Sequence, residues 1–186
     1  MRSDARSNRL RILAAAAEVF AAPGDTSLKS VARRAGVGQG TLYRHFPTRQ
    51  ALVLEVYWKE VDELVTAVPA LLDTRGPLPA LRAWLDHLLG LGWSTPELAD
   101  VMRGAAAAMT EECREPYKPL AEALSVLIGA NQAAGTIVPG TTADDVLLLV
   151  APLWHVGAQE EGCARAQRLL EVLIRGLCPS AAAAVG

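Results

Sequence analysis

The side chains best equipped for chemistry in this 186-residue chain cluster between positions 29 and 49. Gln39, Gly40, Thr41, Tyr43, Arg44 and His45 follow one another with only Leu42 between them, and Lys29, Thr48 and Arg49 flank the run. Amide, hydroxyl, guanidinium and imidazole groups are those that read base edges and hold phosphate oxygens in a DNA groove. The run from Gln39 to His45 carries no acid. A surface helix shaped only for solubility more often mixes Glu with Lys.

Catalytic patterns do not emerge. His45, His87 and His155 stand far apart, with no Glu-x-x-His or His-x-x-x-His, so a metal site in a helical bundle lacks ligands. There is no G-x-S-x-G and no glycine-rich phosphate loop. Cys113, in the charged turn Glu111–Glu115, has no nearby His to activate it. No enzyme, cofactor or metal is expected. Cys113, Cys163 and Cys178 are odd in number and none forms a C-x-x-C, which argues against a disulfide framework or a structural zinc and for a reducing, cytoplasmic setting.

The elements that must position the polar run are helices. Leu10, Leu13, Ala14, Ala17, Phe20 and Ala21 step by three and four, and Pro23-Gly24-Asp25 ends that helix. Thr26 or Ser27 caps a second helix with Leu28, Val31, Ala32 and Ala35 inward. Gly36-Val37-Gly38 is a turn: Gly36 supplies positive φ, Gly38 serves as N-cap, and Val37 and Leu42 anchor a third helix, Gln39–Phe46. Pro47 closes it. Two helices joined by a short glycine-containing turn form the helix-turn-helix signature. Thr48 caps a long fourth helix that ends near Pro69.

Five more helices are expected: Leu78–Leu91 with Pro77 and Pro79 at its first turn, Pro96 to about Met109 capped by Thr95, one from near Pro116–Pro119 to Ala134, one opened by Thr142 and Asp145 at capping-box spacing, and Cys163–Cys178. No strand and no repeat is visible. The fold class is all-α, with about nine helices. A three-helix helix-turn-helix domain (residues 1–50) precedes an all-helical ligand-binding and dimerisation domain (51–186).

Charge supports this division. The formal net charge is -2 and 51% of residues are apolar. Residues 1–50 hold nine Lys/Arg against three Asp/Glu, giving +6; residues 51–186 hold nine against seventeen, giving -8. A basic head on an acidic body suggests nucleic acid or a membrane surface as partner of the head. The apolar stretch Val146–Ala158 is too short to span a bilayer, and the N-terminus lacks a signal-peptide core. No membrane association is expected.

The run Ser30-Val31-Ala32-Arg33-Arg34-Ala35-Gly36-Val37-Gly38-Gln39-Gly40-Thr41-Leu42-Tyr43-Arg44-His45-Phe46, followed by Arg49, Ala51 and Leu52, resembles the DNA-binding domain of the tetracycline-repressor (TetR) family. The likeness covers about residues 8–57. Leu81–Leu85 and the ending after Gly135 resemble one ligand-domain subgroup of that family. The resemblance implies a homodimeric regulator, usually a repressor, that binds a palindromic operator in double-stranded DNA, responds to a small-molecule effector in its helical body, and dimerises through its last two helices. It places Gln39, Gly40, Thr41, Tyr43, Arg44 and His45 on the recognition helix. Lys29 falls at a base- or phosphate-reaching position, and Thr48 and Arg49 where the family has a small polar residue and a phosphate-contacting Lys. Gly38 stands where Ser is common and Gln50 where Glu is common.

Several residues keep two readings. Arg33 and Arg34 form either a solvated face or a DNA-directed field. His45 touches phosphate or fixes the start of the fourth helix. Arg2, Arg6 and Arg9 form an arm over DNA or a basic tail. In the body, Trp58, Trp84, His87, Met102, Met109, Tyr117, Trp154 and His155, with Trp93, are candidate walls of an effector pocket or members of the core. Pro152 opens space beside Trp154 or marks the dimer surface. The alternative to a DNA reader is a helical adaptor whose basic head docks a protein partner.

Overall fold

The computed structural model describes residues 2–107, 117–157 and 162–179. Their secondary structure is helical, with no strand among the described residues. The helices are α1 (Arg2–Ala21), α2 (Leu28–Ala35), α3 (Gln39–His45), α4 (Arg49–Val56), α5 (Trp58–Thr66), α6 (Val68–Arg75), α7 (Pro77–Ser94), α8 (Pro96–Ala107), α9 (Lys118–Ala133), α10 (Ala143–Gly157) and α11 (Gly162–Leu177). Two compact units divide the chain at residues 59 and 60.

The nine expected helices are present, with three changes. Helix α1 begins at Arg2, well before its apolar stripe starts at Leu10. The long fourth helix is interrupted at Tyr57, whose φ of -101° and ψ of 19° lie in the sparsely populated bridge region. Pro69, read as a terminator, instead sits in the first turn of a further helix, α6. Proline has no N–H to offer, and the first turn of a helix is where none is needed.

In the first unit, α1 packs on α2 and α4, and α3 packs on α2. Ile12, Ala16, Val31, Ala32, Leu42, Phe46, Leu52 and Val53 form the buried centre. Ala15 and Ala16 of α1 and Ala32 and Ala35 of α2 are buried, small side chains on two helices that pack together.

In the second unit α7 is central, packing against α6, α8, α9 and α10, while α10 also packs on α8 and α11. Leu81, Trp84, Leu85, Leu88 and Leu89 of α7 are fully buried. Three buried polar side chains of this unit find partners, which offsets the cost of their burial. Trp84 Nε1 donates to the Leu64 carbonyl at 2.9 Å, and the Tyr117 hydroxyl to that of Val101 at 2.8 Å. Asn131, fully buried, donates to Pro77 and Leu127 carbonyls and accepts from the Thr136 hydroxyl at 2.7 Å. The expected capping box forms at the start of α10. Asp145 N donates to Thr142 Oγ1, and Asp145 Oδ2 accepts from the Thr142 N–H and hydroxyl. Leu148 and Leu149 on α10 and Leu169 and Val172 on α11 are large, apolar and exposed. No helix among the described residues is long and apolar enough to cross a membrane.

Candidate nucleic-acid interface

Helix α2 owes its boundaries to its own sequence. Ser27 is the N-cap, its hydroxyl accepting from the Ser30 N–H at 3.2 Å. Asp25 fixes this cap from outside. Its carboxylate accepts from the Ser27 N–H at 3.0 Å, the Ser27 hydroxyl at 3.0 Å and the Ser30 hydroxyl at 2.6 Å. The Ser30 hydroxyl, then the Ser27 N–H and hydroxyl, hold Asp25 below the ordinary aspartate range, with Arg33 adding to the effect. At the far end Gly36 takes φ of 63°, and Gly36 N and Val37 N donate to the Arg33 and Ala32 carbonyls at 3.2 and 3.1 Å. This Schellman arrangement ends α2 and turns the chain toward α3. Arg11 Nη2, from α1, donates to the Ala35 and Gly36 carbonyls at 2.5 and 3.3 Å.

Gly38 caps α3 through its backbone, accepting from Thr41 N and Leu42 N, with no side-chain cap. Leu42 and Phe46 bury the inner face. Gln39, Gly40 and Arg44 are exposed, Tyr43 is 50% exposed, and Thr41 and His45 are half-buried. Arg44 lies along its own helix, Nε donating to the Gly40 carbonyl at 3.2 Å and Nη2 to Thr41 Oγ1 at 3.1 Å. No Asp or Glu occurs between Asp25 and Glu55, so α2, α3 and most of α4 form an acid-free stretch.

The head's cations fall into two groups. Arg9 pairs with Glu55 at 2.8 Å and lies over the Phe46 ring, which ties α1 to α4 rather than freeing it as an arm. Arg34 is paired with Glu18, and Arg11 is spent on the end of α2. Arg49 closes on Thr26 and stacks over Phe20. By contrast, Lys29 is exposed with no partner among the described residues, and Arg33 is exposed, with a 3.5 Å contact to the Ser30 hydroxyl and an electrostatic pull on Asp25. Thr48 caps α4, accepting from Ala51 N at 3.1 Å, and remains exposed. Sequence reasoning passed over Asp25 and Arg11 as builders of this surface. The Asp25-x-Ser27 spacing is an Asx-turn signal that points to the first. Nothing local points to the second, because its partners lie 24 and 25 residues away.

Among the described residues the body candidates differ in burial and partners. Trp84 is core. Trp154 is buried against Gly92 with its N–H toward the Leu88 carbonyl at 3.4 Å. Met102 is buried next in sequence to Val101, the acceptor for Tyr117. His87 and His155 are exposed, and Trp58, 53% exposed, belongs to the first unit. Met109, Cys113 and the turn around it lie outside the described residues. Trp93 carries a buried indole N–H without an acceptor among the described residues.

Residues 12–56 match the model of bacterial regulatory proteins of the tetR family, and residues 76–179 match that of the SbtR-like transcriptional regulator C-terminal domain. A TetR transcriptional regulator of Streptomyces coelicolor is 37% identical, with 93% of this chain and 99% of that one covered and a TM-score of 0.60. An HTH-type transcriptional regulator of Staphylococcus aureus is 34% identical over 92 residues, 48% of this chain and 50% of that protein. The chain thus spans about half the length of the curated relatives it matches. The fold is shared with Thermus thermophilus FadR, solved with lauroyl-CoA, at 19% identity, with 92% of this chain and 96% of that one covered and a TM-score of 0.68.

Proposed function

The chain belongs to the TetR family of transcriptional regulators, and from that premise we propose that it is a homodimeric, ligand-responsive repressor acting on a palindromic operator in the cytoplasm. The observation that carries the reading is the exposed, acid-free face of α3 on an acid-free stretch of chain. Gln39, Gly40, Thr41 and Tyr43 meet base edges or adjacent phosphates, and Lys29, Arg44, His45 and Thr48 meet the backbone. Two copies of α3 must enter successive major grooves, which a homodimer achieves at half-sites one helical turn apart or a multiple of it.

The exposed Leu148, Leu149, Leu169 and Val172 support dimerisation through α10 and α11, because a row of apolar side chains on paired helices favours burial. The functional head is residues 1–50, with α4 as its anchor, and residues 51–186 form the sensing body. There, Met102 of α8, Trp154 of α10 and Tyr117, whose hydroxyl reaches Val101 of α8, are buried candidates, and Trp93 of α7 offers a donor. The effector shifts DNA affinity only by the difference in its own affinity for two states. Footprinting on the DNA flanking the gene, with and without candidate ligands, tests the reading. Protection of a symmetric site that a ligand removes supports it; no protected site overturns it.

A further inference from the structure

Arg49 opens α4, at the position where the TetR resemblance implies a phosphate-contacting cation. Its surroundings in this chain are different. Nη1 donates to the Thr26 carbonyl, Nη2 donates to Thr26 Oγ1 at 3.2 Å, and the guanidinium carbon lies 5.1 Å from the centre of the Phe20 ring. The Thr26 carbonyl and hydroxyl each take one hydrogen of a terminal nitrogen, and an aromatic ring covers one face. Thr26 directly precedes Ser27, the N-cap of α2, and Lys29 follows three residues later. At the other end of the same helix Arg11 holds the Ala35 and Gly36 carbonyls. Helix α2 is therefore gripped at both ends by guanidinium groups from the helices that flank the motif.

We infer that Arg49 is a positioning residue for DNA binding: it holds the start of α2, and with it Lys29, in place, and makes no phosphate contact itself. The inference rests on the DNA-binding reading above. A planar guanidinium bridges a carbonyl and a hydroxyl while stacking on a ring; an ammonium on a flexible stem does not. The two roles therefore part company in their response to charge. A phosphate contact survives replacement by Lys and leaves its own mark on the salt dependence of binding even where Lys29 is absent, whereas a clamp does neither.

The test uses the full chain and a duplex recovered with it by in-vitro selection, with affinity measured by fluorescence anisotropy over a range of salt. Arg49→Gln and Arg49→Lys are each expected to bind about ten-fold more weakly, with the slope of log K against log salt flattened no further than in Lys29→Gln. In a Lys29→Gln background the Arg49→Gln loss is expected to shrink below about three-fold, because the clamp acts through Lys29. Thr26→Val removes only the hydroxyl acceptor and keeps every cation; it is expected to weaken binding, and to do so less in the Lys29→Gln background, and it serves if the Arg49 variants do not fold. The inference is overturned if Arg49→Lys binds like wild type, or if Arg49→Gln still flattens the slope by about 1.8 in the Lys29→Gln background, the value for two phosphates per dimer left without their cation. Equal loss in both Lys29 backgrounds, or wild-type affinity of Thr26→Val, also overturns it. Recovery of no duplex by the wild-type chain overturns the DNA-binding reading itself.

Discussion

The indole of Trp154 lies directly on Gly92: a Cβ built on that glycine would stand 2.3 Å from Nε1 and 2.4 Å from Cδ1. Helix α10 thus meets α7 where α7 has no side chain. Trp154 is 3% exposed, so its ring has little room to retreat.

Gly92→Ala is expected to destabilise the protein despite the better helix propensity of Ala. The propensity gain is about 1 kcal/mol, while forcing a rigid buried ring aside costs about 1–3 kcal/mol. Gly90→Ala, two residues earlier in α7 with nothing within 4 Å of its Cβ position, is expected to stabilise by up to about 1 kcal/mol. Urea denaturation of the pair reads the contrast directly. Equal midpoints for the two variants would contradict this packing.

Gly36→Ala is expected to cost about 1–2 kcal/mol from the left-handed backbone alone. Its Cβ would also approach Arg11 Nη2 to 2.8 Å, loosening the grip on the end of α2. Thermal denaturation followed by circular dichroism measures the loss, and a wild-type melting temperature would refute it.

Asp25 makes the head sensitive to acid. Hydrogen bonds from Ser30 and Ser27 lower its folded-state pKa below the ordinary 3.8, so the unfolded chain takes up its proton first as pH falls. The stabilisation is therefore complete above that ordinary value and disappears as pH drops through the lower folded one. Asp25→Ala is expected to melt earlier than wild type at neutral pH and to converge with it in strong acid. Melting temperatures that stay equally separated down to pH about 2 would count against this role.

Local chemistry was the legible part of the molecule. Ser27, Thr48 and the Thr142–Asp145 box announce helix starts, and Gly36 announces the left-handed turn, because caps and turns depend on residues a few positions apart. The acid-free run from Gln39 to His45 was equally visible, since α3 is short and one face of it must be exposed. Pro69 misled because the same missing N–H that stops one helix suits the first turn of the next. The division of the arginines was not legible. Whether Arg11, Arg34 or Arg49 faces solvent depends on acceptors 16 to 25 residues away, which only packing brings near. The same holds for Trp84 and Trp154, whose roles are set by partners on other helices.

Tyr43→Ala and Lys29→Ala remove exposed side chains outside the core, so both variants are expected to melt within a few degrees of wild type. Lys29→Ala is expected to flatten the salt dependence of DNA binding by about 0.9 for each phosphate that Lys29 neutralises, twice per dimer. An unchanged slope for Lys29→Ala would remove it from the interface.

Footprinting of the purified chain on DNA flanking its gene, alongside those two variants, bears most directly on the central claim that α3 reads DNA. The expected result is protection of two half-sites about one helical turn apart or a multiple of it, absent or strongly weakened in both folded variants. A footprint indifferent to both substitutions, or no footprint from the wild-type chain, would contradict it.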